Sequence, residues 1–451
     1  MSNKYVHDMT EGSEVSLLIK FSLPMLIGNV FQQFYNIIDS VVVGRFIGAN
    51  ALAAVGATGS LNFLFFSICA GLSVGIGIII SQYFGAKKES HVKRAIANSI
   101  YVIGAAAIIM SLLAVIFARA ILVFLKTPPE IIDDATAFLR IVSGGMIAVA
   151  AYNAISAILR ALGDSKTPLI FLIISCGINV ILDLIFVLKF GLGVAGTGCA
   201  TVISQGSAAL GCIIFALLKN PYFKLKAEHL KVNRTIIVKC IKIGIPVAAQ
   251  SSMIAVSLVA LQSVVNGYGK VAVAAFTSTG RVEQLIQQPF NSLGAAVSTF
   301  AGQNMGAGKL ERVKNGYHKS IIIIAAFSFT AFLAAQFGGR AIMELFVKDN
   351  AVISLGANGI RITSCLYFPL GMIYITRGLL NGTGDAFYAM LNGFIEVVGR
   401  VGFSSALVFV PAFGVWGIWL TTGLTWLITS TASVIRYKQG KWKNKSLVIH
   451  G

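Results

Sequence analysis

Charge is scarce in this sequence, and acidic charge scarcest: Asp and Glu together make 17 of 451 residues. Charged residues of both signs reach 12% and hydrophobic residues 56%, where a soluble domain carries roughly 25% charge. A soluble core cannot absorb that much apolar sequence. Cysteine is equally uninformative as a scaffold: Cys69, Cys176, Cys199, Cys212, Cys240 and Cys365 lie mostly inside apolar stretches without paired spacing, which excludes a disulfide framework and a zinc site. The five histidines, His7, His91, His229, His318 and His450, fall in loops, tails or at a span's edge, so a histidine proton relay is not expected. No HExxH, GxSxG or clustered His/Asp motif is present. The chain is therefore not expected to be an enzyme or to carry a cofactor. The opening MSNKYVHDMTEGSE is polar, contains acids and lacks an apolar core, so it does not read as a cleaved signal peptide, and the first span is expected to direct insertion.

What fills the chain is long apolar runs. They fall near 15–43, 53–84, 94–117, 135–160, 168–188 and 193–218, then near 240–266, 274–304, 316–338, 354–380, 387–410 and 414–436. Each is long enough to cross a bilayer as a helix, which takes about 20 residues. Such unbroken runs exclude a β-barrel. The expected fold class is an all-α integral membrane protein of about twelve transmembrane helices.

The formal charge of +19 would suggest nucleic acid in a soluble protein, but its placement suggests a lipid surface. Lys87, Lys88, Lys93 and Arg94 share one connection; Lys219, Lys224, Lys226, Lys231, Arg234, Lys239 and Lys242 share a longer one. Arg436, Lys438, Lys441, Lys443 and Lys445 follow in the tail, while loops 44–51 and 411–414 carry one basic residue or none. Alternation of this kind puts basic loops and both termini in the cytoplasm. Anionic membrane lipids are the expected partners of those loops, and no nucleic acid is. The localisation that follows is a multi-pass protein of the plasma (inner) membrane.

A constant offset runs through the chain. Gly48 and Gly269, Gly59 and Gly280, Gln82 and Gln303, Gly85 and Gly306, Arg140 and Arg361, and Gly163-Asp164 and Gly384-Asp385 are each separated by 221. Gly193, Val194 and Gly196 pair likewise with Gly414, Val415 and Gly417. An internal repeat follows. Each copy has an even number of spans, so both enter the membrane from the same side, and two six-helix lobes would be related by a pseudo-two-fold along the membrane normal. The expected domains are an N-terminal lobe at 1–218, a basic cytoplasmic linker at 219–239, a C-terminal lobe at 240–437 and a basic cytoplasmic tail at 438–451.

Charges inside spans are the informative minority, since each costs about 2.5–3.5 kcal/mol at the bilayer centre. Asp39 in the first span and Asp183 in the fifth each precede a basic residue, Arg45 and Lys189, by six positions, about 9 Å along a helix. The two carboxylates are thus expected at matching depth. Gln32 and Tyr35 share a face with Asp39, and Asn179 lies one turn before Asp183. Thr201 in the sixth span brings a hydroxyl. Carboxylate, amide and hydroxyl oxygens suit a hard cation such as Na⁺, and the carboxyls suit a proton. A structural reading stands beside this one: Asp183 pins packing through Asn179 while Asp39 faces water. At the 221 offset, Ala260, Arg400 and Ser404 replace Asp39, Asn179 and Asp183, so the second lobe lacks the pair.

Second-lobe charges read differently. Glu396 and Arg400, four apart, suit an intrahelical pair. Arg281, Glu283, Gln284, Gln287 and Gln288 form a polar band that would line a cavity, with Glu283 and Gln287 foremost, or mark a helix end. Gly71, Gly75 and Gly77 suit close helix packing. Arg140 and Arg361 read as loop or headgroup anchors, and Pro129 in KTPPE as the start of a helix.

The stretches FSLPMLIGNVFQQFYNIIDSVVVGRFIGANALAAVG, SQYFGAKK, LRALGDSKTPL, INVILDLIFVLKFGLGVAGTGCAT and AGQNMGAGK closely resemble the multidrug and toxic compound extrusion (MATE) family over nearly the whole chain. The resemblance implies a V-shaped two-lobe fold and an antiporter that exports small amphipathic organic cations in exchange for H⁺ or Na⁺. It matches Asp39, Asn179, Asp183 and Thr201 to the family's first-lobe cation site, a possible Na⁺ site, and Gln32 and Tyr35 to its cavity. Spans seven and ten lack the acids of another branch, which points to the DinF-like branch; a monomer is the expected assembly. Protonation of Asp39 would alter the bend of the first span between Pro24 and Gly44. A lipid-linked precursor flippase is the alternative, for which only Arg281, Arg377 and Arg400 offer cavity cations.

Overall fold

The computed structural model describes residues 6–408, 410 and 413–448; His450 and residues 411–412 of the sparsely charged loop lie outside them. The first repeat forms α1 (Glu14–Val42), α2 (Ala49–Gly85), α3 (Glu89–Phe124), α4 (Pro129–Gly144), α5 (Met146–Ala161), α6 (Lys166–Leu184) and α7 (Gly193–Lys219). The second forms α8 (Arg234–Asn266), α9 (Lys270–Gly306), α10 (Leu310–Glu344), α11 (Asn350–Ser364), α12 (Tyr367–Thr383), α13 (Ala386–Val408) and α14 (Gly417–Lys438). Two expected single spans, 135–160 and 354–380, are instead bent pairs, α4–α5 at 45° and α11–α12 at 54°. The first break falls at Gly144 and Gly145, the poorest helix formers after proline. Among the described residues, fourteen helices less these two joins leave twelve rods. Among the described residues eight helices are long and apolar enough to cross a membrane, and ten with each bent pair taken as one span. The remaining rods, α9 and α13, carry Arg281 with Glu283 and Glu396 with Arg400.

Large apolar side chains point outward. Phe337 is 86% and Phe124 84% exposed, which water would not tolerate over so many helices and a bilayer does. The chain is a multi-pass membrane protein.

Packing divides the chain into two compact units: one holds Leu23–Ala248 with the chain up to Met9, the other Thr10–Ser22 with the chain from Ala249 onward. This division differs from that read from the repeat, because the starts of α1 and α8 are exchanged. Both divisions fall within three residues of an internal proline, Pro24 in α1 and Pro246 in α8. Proline removes one backbone bond and frees the helix to change direction there. Residues 240–248 thus belong to the first unit. Gly71 and Gly75 of α2 serve that contact: a Cβ on Gly71 would lie 2.6 Å from the Gly244 carbonyl oxygen, and one on Gly75 2.9 Å from that of Cys240. The expected linker is also packed, with Phe223 and His229 buried and Asn98 Nδ2 donating to the Lys231 carbonyl at 3.3 Å.

Equivalent positions make equivalent bonds in the two units. Arg140 Nε donates to the Val115 carbonyl at 3.3 Å and Arg361 Nε to the Gln336 carbonyl at 3.1 Å, and Val115 and Gln336 are themselves 221 apart. Both arginines therefore tie neighbouring helices together. Each Gly-Asp turn lies under a chain end. Gly163 (φ +89°) has room for a Cβ only 2.1 Å from the His7 carbonyl oxygen, and Gly384 (φ +96°) only 2.7 Å from that of Lys445. The tail is held by Trp442, 1% exposed and stacked on Tyr437. Pro129 opens α4, as its preset φ favours.

Candidate cation site in the first unit

Two carboxylate helices converge in the first unit. α1 and α6 each run into one wide π-helical turn just beyond the acid, Val43–Ile47 after Asp39 and Ile185–Lys189 after Asp183. The turns close with i→i+5 bonds, Gly48 N–H to the Val43 carbonyl and Phe190 N–H to the Ile185 carbonyl, both 3.1 Å. They touch one another. Such turns carry a surplus residue and concentrate at functional sites.

Asp183 is 0% exposed and Asp39 half-buried. The two carboxyl groups are near enough for the charge of one to act on the other. The Asn179 amide, oriented with its nitrogen toward the acid, donates to Asp183 Oδ2 at 2.8 Å while its oxygen accepts from the Thr201 N–H at 3.2 Å. Thr201 Oγ1 donates to the Thr197 carbonyl at 3.0 Å and lies 3.4 Å from the Tyr35 hydroxyl. Side chains from α1, α6 and α7 are thereby joined. Gln32, half-buried, is one turn before Tyr35.

Oδ1 of Asp39 and Oδ1 of Asp183 are both buried without a hydrogen-bond partner. Buried polar atoms are rarely left so, and a carboxylate pair with spare lone pairs is a receptor for a proton or a hard monovalent cation. The carboxylate and hydroxyl oxygens of the site suit Na⁺ as well, while Asn179 in this orientation turns its nitrogen, not its oxygen, toward Asp183. Among the described residues no three His, Cys, Asp or Glu side chains gather as a metal cluster. Two carboxylates are the whole of the site's formal charge.

Glu283 and Gln287 belong to the second unit. Glu283 is buried, hydrogen-bonded to Thr363 and within electrostatic reach of Arg400, with Oε1 unpartnered. Gln287 Oε1 accepts from the Tyr374 hydroxyl at 2.9 Å. Glu396 does pair with Arg400, at 3.0 Å, but Arg377 also reaches Glu396 at 3.5 Å, and Arg377 Nη2 donates to the Asn392 amide oxygen at 3.3 Å. The intrahelical spacing pointed to one partner only. The need to balance a buried guanidinium is the signal that would have found the other. Arg400 also bonds Ser257 of α8.

Comparison with known proteins follows the same lines. The MatE family matches residues 24–185 and 246–405, one stretch in each repeat. A probable multidrug resistance protein, YpnP of Bacillus subtilis (strain 168), is 28% identical over 98% of both chains. The multidrug export protein MepA of Staphylococcus aureus (strain NCTC 8325 / PS 47) is 25% identical over 93% of this chain and 92% of its own. A crystal structure of MATE in the bent conformation superposes with a TM-score of 0.91 at 21% identity, covering 99% of this chain and all of that one. With a repeat matched in both halves and the fold of a solved transporter over its whole length, this chain belongs to the MatE family, the multidrug and toxic compound extrusion transporters.

Proposed function

We propose that the protein is a multidrug exporter of the DinF-like branch, an antiporter that expels amphipathic organic cations from the cytoplasm in exchange for H⁺ or Na⁺. Coupling resides at Asp39 and Asp183, with Asn179 and Thr201 completing the site. The observation that carries this reading is the pair of unpartnered carboxylate oxygens in the first unit, at positions where the second unit has Ala260 and Ser404. The names of YpnP and MepA support export of drugs, and the basic loops support a plasma membrane location with both termini cytoplasmic.

Physically, two like charges at one buried place repel, and a proton or sodium ion relieves that repulsion. Ion uptake and drug release then compete for one electrostatic state. α1 carries both Asp39 and Pro24, so a change of charge at Asp39 acts on a helix already interrupted. For one-for-one exchange of a monovalent ion against a monovalent drug cation no net charge crosses, so the drive is the ion's own gradient, about 1.4 kcal/mol per tenfold; each further ion taken in per drug molecule adds about 2.3 kcal/mol per 100 mV.

The test is efflux of a fluorescent organic cation from proteoliposomes under an imposed proton or sodium gradient, for wild type and Asp39→Asn. Efflux driven by one gradient and lost in the variant is expected. Undiminished gradient-driven efflux in the variant, with both proteins folded, removes Asp39 from coupling. Absence of efflux under either gradient removes the antiport reading.

A further inference from the structure

α9 and its repeat counterpart α2 differ in chemistry along one face. On α9, Thr277, Arg281, Gln284 and Asn291 are exposed and Gln288 is half-buried. They recur every three or four residues, which aligns them along one side of a helix. At 1.5 Å per residue the stripe is about 21 Å long, most of a hydrocarbon core of about 30 Å. Leu285 is exposed at its edge, and a Cβ on Gly280 would meet nothing within 4 Å. At the 221 offset α2 carries Gly56, Ser60, Phe63, Ser67 and Ala70, with Phe63 exposed. Small and aromatic residues in the first unit thus give way to amides and one guanidinium in the second.

An exposed polar stripe at membrane depth needs water, because lipid offers its amides no partners. Arg281 lies eleven residues into α9, about 16 Å along its axis, and a stem as long as arginine's could reach an interface from there. Gln284, Gln288 and Asn291 lie deeper, and their short side chains cannot. Gln288 Nε2 finds one acceptor in the Gln284 carbonyl of its own helix at 2.9 Å. Arg281 is exposed, and among the described residues no ion pair, hydrogen bond or ring contact holds it. Glu283, two residues on, is turned about 200° away around the helix; it is buried and hydrogen-bonded to Thr363 of α11. The charge on the stripe is therefore a single fixed cation.

We infer that this face of α9 is a hydrated wall of the solute pathway and that Arg281 is a specificity-determining residue on it, selecting against solutes that carry two positive charges. The amides can bond water or solute alike and discriminate little. A fixed guanidinium repels a cation in proportion to its charge, and a repulsive element of this kind sets preference among partners that are otherwise similar. A monocation is tolerated and a dication disfavoured. The inference rests on the export of organic cations proposed above and adds which of them pass.

The test compares ethidium with propidium, dyes that share a phenanthridinium ring and carry one and two positive charges. Affinities are read from dye fluorescence on the full chain in nanodiscs, and efflux rates in proteoliposomes. Arg281→Gln should raise the affinity for propidium relative to ethidium by about fivefold or more, and Arg281→Lys should keep the wild-type ratio. The wall is read separately with a charged thiol reagent that does not enter lipid, on a chain whose native cysteines are replaced by alanine. Gln284→Cys, Gln288→Cys and Asn291→Cys should react, and Phe329→Cys, at an exposed apolar position of α10, should not. Should the cysteine-free chain fail to fold, the dye ratio decides alone. An unchanged ratio in Arg281→Gln, or labelling of the stripe no faster than at Phe329→Cys, overturns the inference and leaves export standing. A shifted ratio without gradient-driven efflux supports the inference and removes the antiport reading, while binding of neither dye removes both.

Discussion

The same helical position carries Asn179 in the first unit and Arg400 in the second, and the neighbourhoods of these two residues differ in kind. Around Asn179 stand two carboxylates with oxygens left over. Around Arg400 stand Glu396, Ser257 and the electrostatic reach of Glu283. The second unit thus holds its cation covalently, as a guanidinium 3% exposed, while the first offers a place where a cation can come and go. A tethered charge cannot be exchanged across a membrane, which is why the proposed antiport assigns coupling to the first unit.

Exchanging the two residues should break that distinction most visibly. Asn179→Arg places a guanidinium beside Asp183, and gradient-driven efflux is expected to fall by about a hundredfold or more, some 2.7 kcal/mol of lost coupling. The fold should survive, because the new charge meets a carboxylate; the thermal midpoint checks it. Arg400→Ala works in the opposite sense. It leaves Glu396 with Arg377 alone and should lower unfolding stability by about 3–5 kcal/mol, seen as a lower thermal midpoint in detergent. Where the units are alike, they should respond alike. Gly163→Ala and Gly384→Ala both force a side chain into a left-handed turn against a covering carbonyl, and each should cost roughly 1–3 kcal/mol. A large difference between them would show that one chain end merely rests on its turn.

How far the sequence alone reaches can be seen at particular residues. The twelve rods and the repeat were legible because apolar runs and a constant 221 offset are properties of the chain itself. Asp39 and Asp183 stood out because acids are so few. The breaks at 145 and 365–366 were not legible, since an apolar run reads the same whether straight or bent. Nor were the π-helical turns, which depend on a single surplus residue and leave no periodic trace. The exchange of the α1 and α8 starts was hidden for another reason: a proline inside a span permits a change of direction without dictating which unit each half joins. Arg377 escaped as a partner of Glu396 because pairing between helices depends on rotation about their axes, which hydropathy does not specify.

The smallest effect is the sharpest test of where function lies. Thr201 and Thr422 are repeat counterparts, 221 apart, and both hydroxyls donate back to their own helix, at 3.0 Å to Thr197 and 3.3 Å to Ile418. Only Thr201 also meets a partner from another helix, the Tyr35 hydroxyl at 3.4 Å. Valine preserves the shape of threonine and removes the hydroxyl. Thr201→Val should therefore lose about 1 kcal/mol of interaction and slow efflux several-fold, since the Tyr35 hydroxyl of α1 is no longer tied to α7. Thr422→Val should leave efflux unchanged, because its hydroxyl serves only its own helix. Matched initial rates in proteoliposomes distinguish the cases: equal slowing in both variants would mean that the hydroxyls matter for helix packing, and that the candidate site in the first unit does not depend on the Tyr35–Thr201 link.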